Sequence, residues 1–234
     1  MDPAAMAYVG NELDLFSRAA TWKSYLAGQV RPFIAGDVLE VGAGMGANTR
    51  FLLAETIRHW TCLEPDAQLA ARIKHASDAR VDVRCGVLAD LPVDMAFDSI
   101  IYIDVLEHIE DDAAELAAAA ARLRPGGHLV VLSPAHPWLF TPFDAAIGHF
   151  RRYTRAGLRD LGPPGCRLVR LRMLDAVGML ASIANKLVLR SAMPTAGQIA
   201  LWDRGMVPLS RLVDPLFGHR LGKSVLAIWR REPA

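Results

Sequence analysis

The stretch Val38-Leu39-Glu40-Val41-Gly42-Ala43-Gly44-Met45-Gly46 constrains the fold of this chain more than any other: an apolar run with strand character passes directly into three alternating glycines. Glycine reaches positive φ without steric cost and has no side chain, so such a junction turns tightly and lets a ligand touch main-chain atoms. A helix over residues 47–53 follows, and the rhythm then repeats. Residues 60–63, 81–85, 97–103 and 128–132 read as strands, with helices over 66–76 and 112–123. The second helix is Ala-rich and closes at Arg124-Pro125-Gly126-Gly127. Alternating strands and helices predict a parallel sheet with right-handed crossovers.

The flanks differ from this core. Apolar residues at near-helical spacing over 13–26 predict an amphipathic helix ahead of the first strand, a lid or added layer. Residues 133–153 form a long Pro-rich and aromatic loop of the kind that usually carries function, and Thr154 is placed to cap a helix through residue 161. Two closing strands, 168–174 and 224–229, enclose a mostly helical insertion over 175–217. The 234 residues suit one domain: a helical lid over 1–36, a ligand-binding core over 37–134, and a substrate loop, insertion and closing strands over 135–234.

The glycines alone leave the ligand open. They satisfy G-x-G-x-x-A, and Glu64 lies twenty residues beyond Gly44, where a nicotinamide enzyme would hold a ribose hydroxyl pair. Glu40 separates the readings. A carboxylate at this place would repel a pyrophosphate, whereas the ammonium and sulfonium of S-adenosylmethionine would be attracted to it. The structural alternative is a carboxylate that braces the turn by accepting hydrogen bonds. Glu64 likewise reads as the acceptor for both ribose hydroxyls or as an acid at a helix start.

Taken in order, the glycine stretch, Leu63-Glu64-Pro65-Asp66, Phe97-Asp98, Asp104-Val105-Leu106-Glu107-His108 and Leu123-Arg124-Pro125-Gly126-Gly127 resemble the motifs of class I S-adenosylmethionine-dependent methyltransferases, of the type-11/type-12 group. The likeness spans residues 37–134. It implies an α/β fold, a Rossmann-like doubly wound seven-stranded sheet, mostly parallel with an antiparallel last strand, plus the N-terminal helix and C-terminal insertion. It also implies S-adenosylmethionine as cofactor and S-adenosylhomocysteine as product. Glu40, Gly42, Ala43, Gly44 and Gly46 would lie at the methionine part, Glu64 and Pro65 at the ribose, Val87 and Leu88 beside adenine, and Asp104 and Val105 at the cofactor floor. Many members carry an acid where this chain has Val87, which leaves backbone groups or Asp90 to meet the adenine amine.

Methyl transfer from a sulfonium is an in-line displacement that requires alignment, a dry site and, for a protonated acceptor, a base. His108, His136 and His149 are the candidate bases or hydrogen-bonded structural histidines, and His149 is favoured with His108 beside it. In Gly148-His149-Phe150-Arg151-Arg152-Tyr153 it shares a loop with two guanidinium groups and a phenol. Arg151, Arg152 and Arg155 suit an anionic group on the acceptor or surface ion pairs. Trp22, Tyr25, His136, Trp138, Arg152 and Tyr153 are the expected acceptor contacts, with packing as the alternative for the aromatics. Asp104, Glu107 and His108, at i, i+3 and i+4, resemble a divalent-metal site of ubiquinone-biosynthesis O-methyltransferases, yet the same letters occur in metal-free members, so no metal is assigned.

Charge narrows the partners. With 26 Lys plus Arg against 25 Asp plus Glu, no global field draws the chain to nucleic acid. Three cysteines without metal-ligand spacing read as thiols of a reducing cytoplasm, and no secretory leader is recognisable. The apolar run over 176–184 is interrupted by Asn185, Lys186 and Arg190, short of the roughly 18 apolar residues that span a bilayer, though residues 173–193 can lie on a membrane surface. The expectation is a cytoplasmic enzyme that methylates an oxygen, or next a nitrogen or carbon, of a small metabolite, anionic or lipid-like. A nicotinamide oxidoreductase, a metal-assisted catechol-type O-methyltransferase, a nucleic-acid methyltransferase and a non-catalytic cofactor-binding scaffold are its rivals.

Overall fold

The chain threads its seven strands in the order β3-β2-β1-β4-β5-β7-β6, in a computed structural model that describes residues 12–73, 78–186 and 194–233. They are β1 (Gly36–Val41), β2 (Ile57–Glu64), β3 (Val81–Cys85), β4 (Phe97–Ile103), β5 (Leu123–Pro134), β6 (Cys166–Leu174) and β7 (Ser224–Arg231). The first five run parallel, and β7 is antiparallel to both neighbours, β5 and β6. The expected mostly parallel sheet with a reversed last strand is therefore present.

Period-two alternation divides the strand residues between two cores. Val38, Trp60, Ile101, Val130 and Ile228 face one side, while Leu39, Leu63, Ile100, Leu129 and Trp229 face the other. Both faces are covered, which is why β1, β4 and β5 read as nearly unbroken apolar runs. The order reverses between β1 and β4, and a crevice at the carboxyl ends of these strands is where such sheets bind ligands.

The described helices are α1 (Glu12–Ser17), α2 (Ala20–Val30), α3 (Thr49–Leu52), α4 (Ala67–Ala70), α5 (Asp112–Ala121), α6 (Pro142–Ala146), α7 (Arg155–Asp160), α8 (Ala176–Ala184), α9 (Ala196–Leu201) and α10 (Val207–Leu216). The helix expected over 13–26 is interrupted between α1 and α2. Asp203, far along the chain, accepts the main-chain N–H of Thr21 at 3.3 Å and of Trp22 at 2.8 Å, so α2 starts at a cap the local sequence does not contain. The helix expected over 47–53 is only α3. Of the one expected over 66–76, α4 is present, its first amides met by the Asp66 carboxylate, and residues 74–76 lie outside the described residues. Thr154 caps α7 as expected, its Oγ1 accepting the Gly157 N–H at 2.8 Å.

Two buried aspartates hold the insertion together, and one of them ties it to α2. Asp214 on α10 accepts the Tyr25 hydroxyl at 2.7 Å and the N–H groups of Asp175 and Ala176 at 2.7 and 2.9 Å. Asp175 accepts Ser210 Oγ and Trp202 Nε1, both at 2.6 Å, and lies 3.4 Å from Lys223 Nζ. No described helix is long and apolar enough to cross a membrane. Part of the proposed membrane-surface segment, residues 187–193, lies outside the described residues.

Removing a carboxylate that satisfies three buried donors costs more than removing one donor. Asp214→Ala is expected to lower unfolding free energy by about 3 kcal/mol and Tyr25→Phe by about 1 kcal/mol in urea titrations. Equal losses in the two variants would show that the Asp214 cluster does not hold the insertion in place.

Candidate functional site

Gly42, Gly44 and Gly46 all have positive φ, near 66, 56 and 69°. Their roles differ. A Cβ on Gly42 would lie 2.5 Å from Val105 Cγ2, so the turn packs directly on the second residue past β4, whereas a Cβ on Gly44 would meet open space. Gly44 serves conformation, and its amide points to Glu64. Glu64 Oε2 accepts the Gly44 N–H at 2.7 Å and Oε1 accepts the Asp66 N–H at 3.0 Å, with burial raising this carboxyl above its ordinary range. The glycine turn and the carboxylate expected at the ribose are therefore joined across the β1–β2 ends. Beyond β3, Asp90 accepts the Val87 N–H at 2.9 Å and packs against Gly86, while Leu88 is buried beneath them.

Glu40 is 2% exposed, and its Oε2 accepts Thr49 Oγ1 at 2.5 Å and Trp60 Nε1 at 3.0 Å. Its donors are side chains of α3 and β2 rather than the amides of the turn. Burial pushes this carboxyl up to about 7 against the pull of those two bonds.

Past the ends of β4 and β5 lies a cavity of about 550 Å³. Asp104, Glu107, His108, Asp144, His149 and Arg152 form its polar floor, and Lys223 also lines it. Leu13, Phe16, Trp22, Leu139, Phe143 and Ile147 supply apolar wall, and α8 and α9 close it with Ala181, Ile199 and Leu201. Asp104 is held at a positive φ of 54° with its N–H on Leu132 O at 2.9 Å, which turns the chain off β4 into the cavity.

The loop carrying His149 is pinned at both ends of the histidine. The Phe150 N–H donates to Glu107 O at 2.8 Å and the His149 N–H to Asp144 O at 2.9 Å. Asp144 is the hub: Oδ1 lies 3.1 Å from His149 Nδ1 and 2.7 Å from Arg152 Nε, and Oδ2 accepts Arg152 Nη2 at 2.9 Å and Thr141 Oγ1 at 2.8 Å. Burial by itself would raise Asp144, but the bonds from His149 and Arg152 and the guanidinium charge hold it well below the usual carboxylate range. His149 then turns Nε2 toward Glu107 Oε1, 3.8 Å away, and its ring stands edge-on to His108 with centroids 4.5 Å apart. Burial, with His149 beside it, lowers His108 to about 4, so this imidazole is neutral at pH 7.

Glu107 is 0% exposed, and neither of its oxygens has a hydrogen-bond partner. Burial, reinforced by the charge of Asp104, raises its carboxyl well above the ordinary range. One ligand atom each of Glu107, His108 and His149 falls within 4.8 Å of the others, a set able to hold a metal ion.

Among the residues singled out from sequence, His149, His108, Asp104, Arg152 and Trp22 meet at this cavity. Others are placed elsewhere. Tyr25 is spent on Asp214, and the Tyr153 hydroxyl donates to Asp112 at 2.7 Å and lies 3.3 Å from Leu106 O. His136 meets Gly222 O at 2.9 Å and Trp138, beside it, is exposed. Arg151 pairs with Asp112 at 2.8 Å and donates to Glu110 O, so it is the surface ion pair of the two alternatives. The sequence reading missed Asp144 and Lys223. Asp144 had a signal, because Thr141-Pro142-Phe143-Asp144 has the spacing of a helix-start box.

Residues 39–131, which hold the glycine turn and, of the cavity floor, Asp104, Glu107 and His108, match the family model of the methyltransferase domain. The chain is 37% identical over 130 residues to a Mycolicibacterium smegmatis protein described as a probable S-adenosylmethionine-dependent methyltransferase, covering 53% of this chain and 49% of that one. It is 35% identical over 105 residues to the ubiquinone biosynthesis O-methyltransferase of Xylella fastidiosa, 43% of this chain and 42% of that one. The chain thus spans about half the length, or less, of these curated relatives. The solved S-adenosylmethionine dependent methyltransferase from Mesorhizobium loti superimposes with a TM-score of 0.60 at 16% identity, over 89% of this chain and 98% of that one, a likeness of fold. Residues 39–131 thus match a methyltransferase domain, and the strand order and glycine turn stand on a fold like that of solved S-adenosylmethionine-dependent methyltransferases. A nicotinamide cofactor finds no support among them.

The buried state of Glu40 carries a pH signature. Its folded form keeps a proton that the unfolded chain releases, so stability present below pH 4.5 is lost as pH rises to about 7. That interval corresponds to roughly 3 kcal/mol at most. Glu40→Gln is therefore expected to lose less stability than wild type between about pH 5 and about pH 8 in urea titrations. Parallel losses in the two proteins would mean that Glu40 is ionised throughout.

Proposed function

We propose that this chain transfers the methyl group of S-adenosylmethionine to an oxygen of a small, largely apolar metabolite held in the cavity beyond β4 and β5. The observation that carries this reading is the Asp144–His149 pair. An imidazole whose Nδ1–H donates to a carboxylate keeps Nε2 as the acceptor, and here that nitrogen faces the cavity floor. In the step, a lone pair on the acceptor oxygen forms the new bond to the methyl carbon as the carbon–sulfur bond breaks. The sulfur keeps that bonding pair, leaving S-adenosylhomocysteine, and the acceptor's proton passes to His149 Nε2. Supporting this, Asp144 fixes both the tautomer and the angle of the ring, and the apolar walls keep water from the cationic sulfonium.

The glycine turn and Glu64 mark the cofactor's side of the crevice, with Gly42, Ala43, Gly44 and Gly46 toward its methionine part and Glu64 and Pro65 toward the ribose. Val87 and Leu88, with Asp90, take the adenine side, and Glu40 stands behind the turn, bracing β1 against α3 and β2. Arg152 is committed to Asp144, so the acceptor's body is better described as lipid-like than as anionic.

A second reading, metal assistance, is favoured by one specific observation: the dry, unpartnered carboxylate of Glu107 beside His108 and His149. These three residues would hold a divalent cation, with Asp104 lining the same floor. Such an ion supplies polarisation of a catechol-like oxygen. The relative named for ubiquinone biosynthesis fits an acceptor of this class.

Labelled S-adenosylmethionine offered with a panel of catechols, phenols and lipid-soluble quinols is expected to give one methylated product class. His149→Ala should cut its formation by about 10² to 10⁴-fold while S-adenosylhomocysteine affinity stays within about threefold of wild type. Asp144→Asn should fall in the same direction with its rate profile displaced in pH. Full turnover in His149→Ala sinks the choice of base. For the metal, Mg²⁺ or Zn²⁺ added after chelation is expected to raise the melting temperature of wild type and not of Glu107→Gln. An unchanged melting temperature in wild type removes the ion from the mechanism.

A further inference from the structure

The surface formed by α9, α10 and the turn after it is built differently from the rest of the exterior. On α10, Leu209, Leu212 and Leu216 recur at i, i+3 and i+7 and point to solvent, with Leu212 70% and Leu216 82% exposed. Phe217 and Leu201 extend the same exposed face at either end. The other side of α10 is sealed against the body through Val207, Ser210 and Asp214. The helix is therefore amphipathic in an unusual sense, because its serine and aspartate face inward and its leucines outward. Leucines grouped in this way mark a docking surface rather than scattered exposure.

Charge says what the surface meets. Arg204, Arg211 and Arg220 are exposed within this segment, and its two acids, Asp203 and Asp214, are both buried and bound to inward donors. The exposed side chains between residues 201 and 221 are thus leucines, one phenylalanine, prolines and arginines, with no exposed carboxylate. On a helical projection of α10, Arg211 lies at one margin of the exposed arc, Leu212 near its middle, and Leu209 and Leu216 at the other margin. A second copy of the same face would bring arginines toward arginines across a two-fold contact. A bilayer carrying anionic headgroups takes both components at once: leucines enter the acyl boundary and guanidinium groups meet phosphates.

We infer that the α9–α10 face seats this protein on an anionic lipid surface. Leu201 belongs both to the exposed face and to the lining of the cavity, so a protein docked this way turns the rim of its cavity toward the bilayer. The inference concerns binding to lipid and does not depend on which acceptor is methylated.

Flotation of the full chain with phosphatidylcholine vesicles, with and without phosphatidylglycerol, tests it. Wild type is expected to float with the anionic vesicles and to be released by salt, which screens the arginine component. Leu212→Asp/Leu216→Asp should lose flotation. Arg204→Glu/Arg211→Glu should lower partitioning by roughly tenfold or more, since each arginine is worth about fivefold near such a surface. Because all four side chains are exposed, both variants should keep S-adenosylhomocysteine binding and the wild-type far-ultraviolet spectrum, which separates lost docking from lost folding. Wild type that stays wholly soluble overturns the inference, as does flotation that the leucine variant leaves unchanged or that is indifferent to phosphatidylglycerol. Sedimentation showing a dimer that Leu212→Asp/Leu216→Asp dissolves, without flotation of wild type, would assign the face to self-association instead.

Discussion

A carboxylate removed from water must be given donors, and this constraint organises both the scaffold and the site. Among the described residues every buried aspartate or glutamate except one has them. Glu64 ties the glycine turn to β2, Glu40 ties β1 to α3 and β2, and Asp112 receives Tyr153 and Arg151. Asp175, Asp203 and Asp214 bind the two ends of the chain together. Leaving any of these oxygens unpaired would cost about as much as a core cavity, so each acts as a positional lock.

The lock between chain ends matters for the cavity. Helices α1 and α2 precede the first strand and the insertion precedes the last, so the sheet order alone does not bring them into register. Asp203 caps α2 from more than 180 residues away, and Asp214 joins Tyr25 of α2 to the start of α8. Trp22 and Trp202, whose rings lie 5.8 Å apart, are held together by these contacts and both line the cavity. The walls of the cavity are therefore a product of tertiary hydrogen bonding, whereas its floor is built from the segments that leave β4 and β5.

This division explains what could be read from the letters. The strands were legible because a sheet covered on both faces demands unbroken apolar runs, and the glycine turn because positive φ admits few other residues. The break between α1 and α2 was not, since its cause is Asp203 and helical periodicity in residues 13–26 carries no trace of it. Phenols behaved likewise: Tyr25 and Tyr153 look the same in sequence whether the hydroxyl meets a substrate or a buried aspartate. His149 was legible from the company it keeps on its loop. Its orientation was not, because that comes from Asp144, whose helix-start spacing with Thr141 gave a reason to notice it but no reason to connect it with a histidine five residues on.

Glu107 is the exception to the rule of paired carboxylates, and its place explains why a fold would keep it. Left ionised it would carry several kcal/mol of uncompensated burial, and that burial, with Asp104 beside it, raises its carboxyl well above the ordinary range. In the proposed reaction a sulfonium loses its positive charge as the methyl departs, and an anion beside it would stabilise the reactant more than the transition state. A neutral carboxyl avoids that penalty. It also remains able to give up its proton when a cation arrives, which makes the same residue compatible with a base-assisted site and a metal-assisted one. The two readings differ in whether Glu107 keeps its proton beside His149 or yields it to an ion held between them.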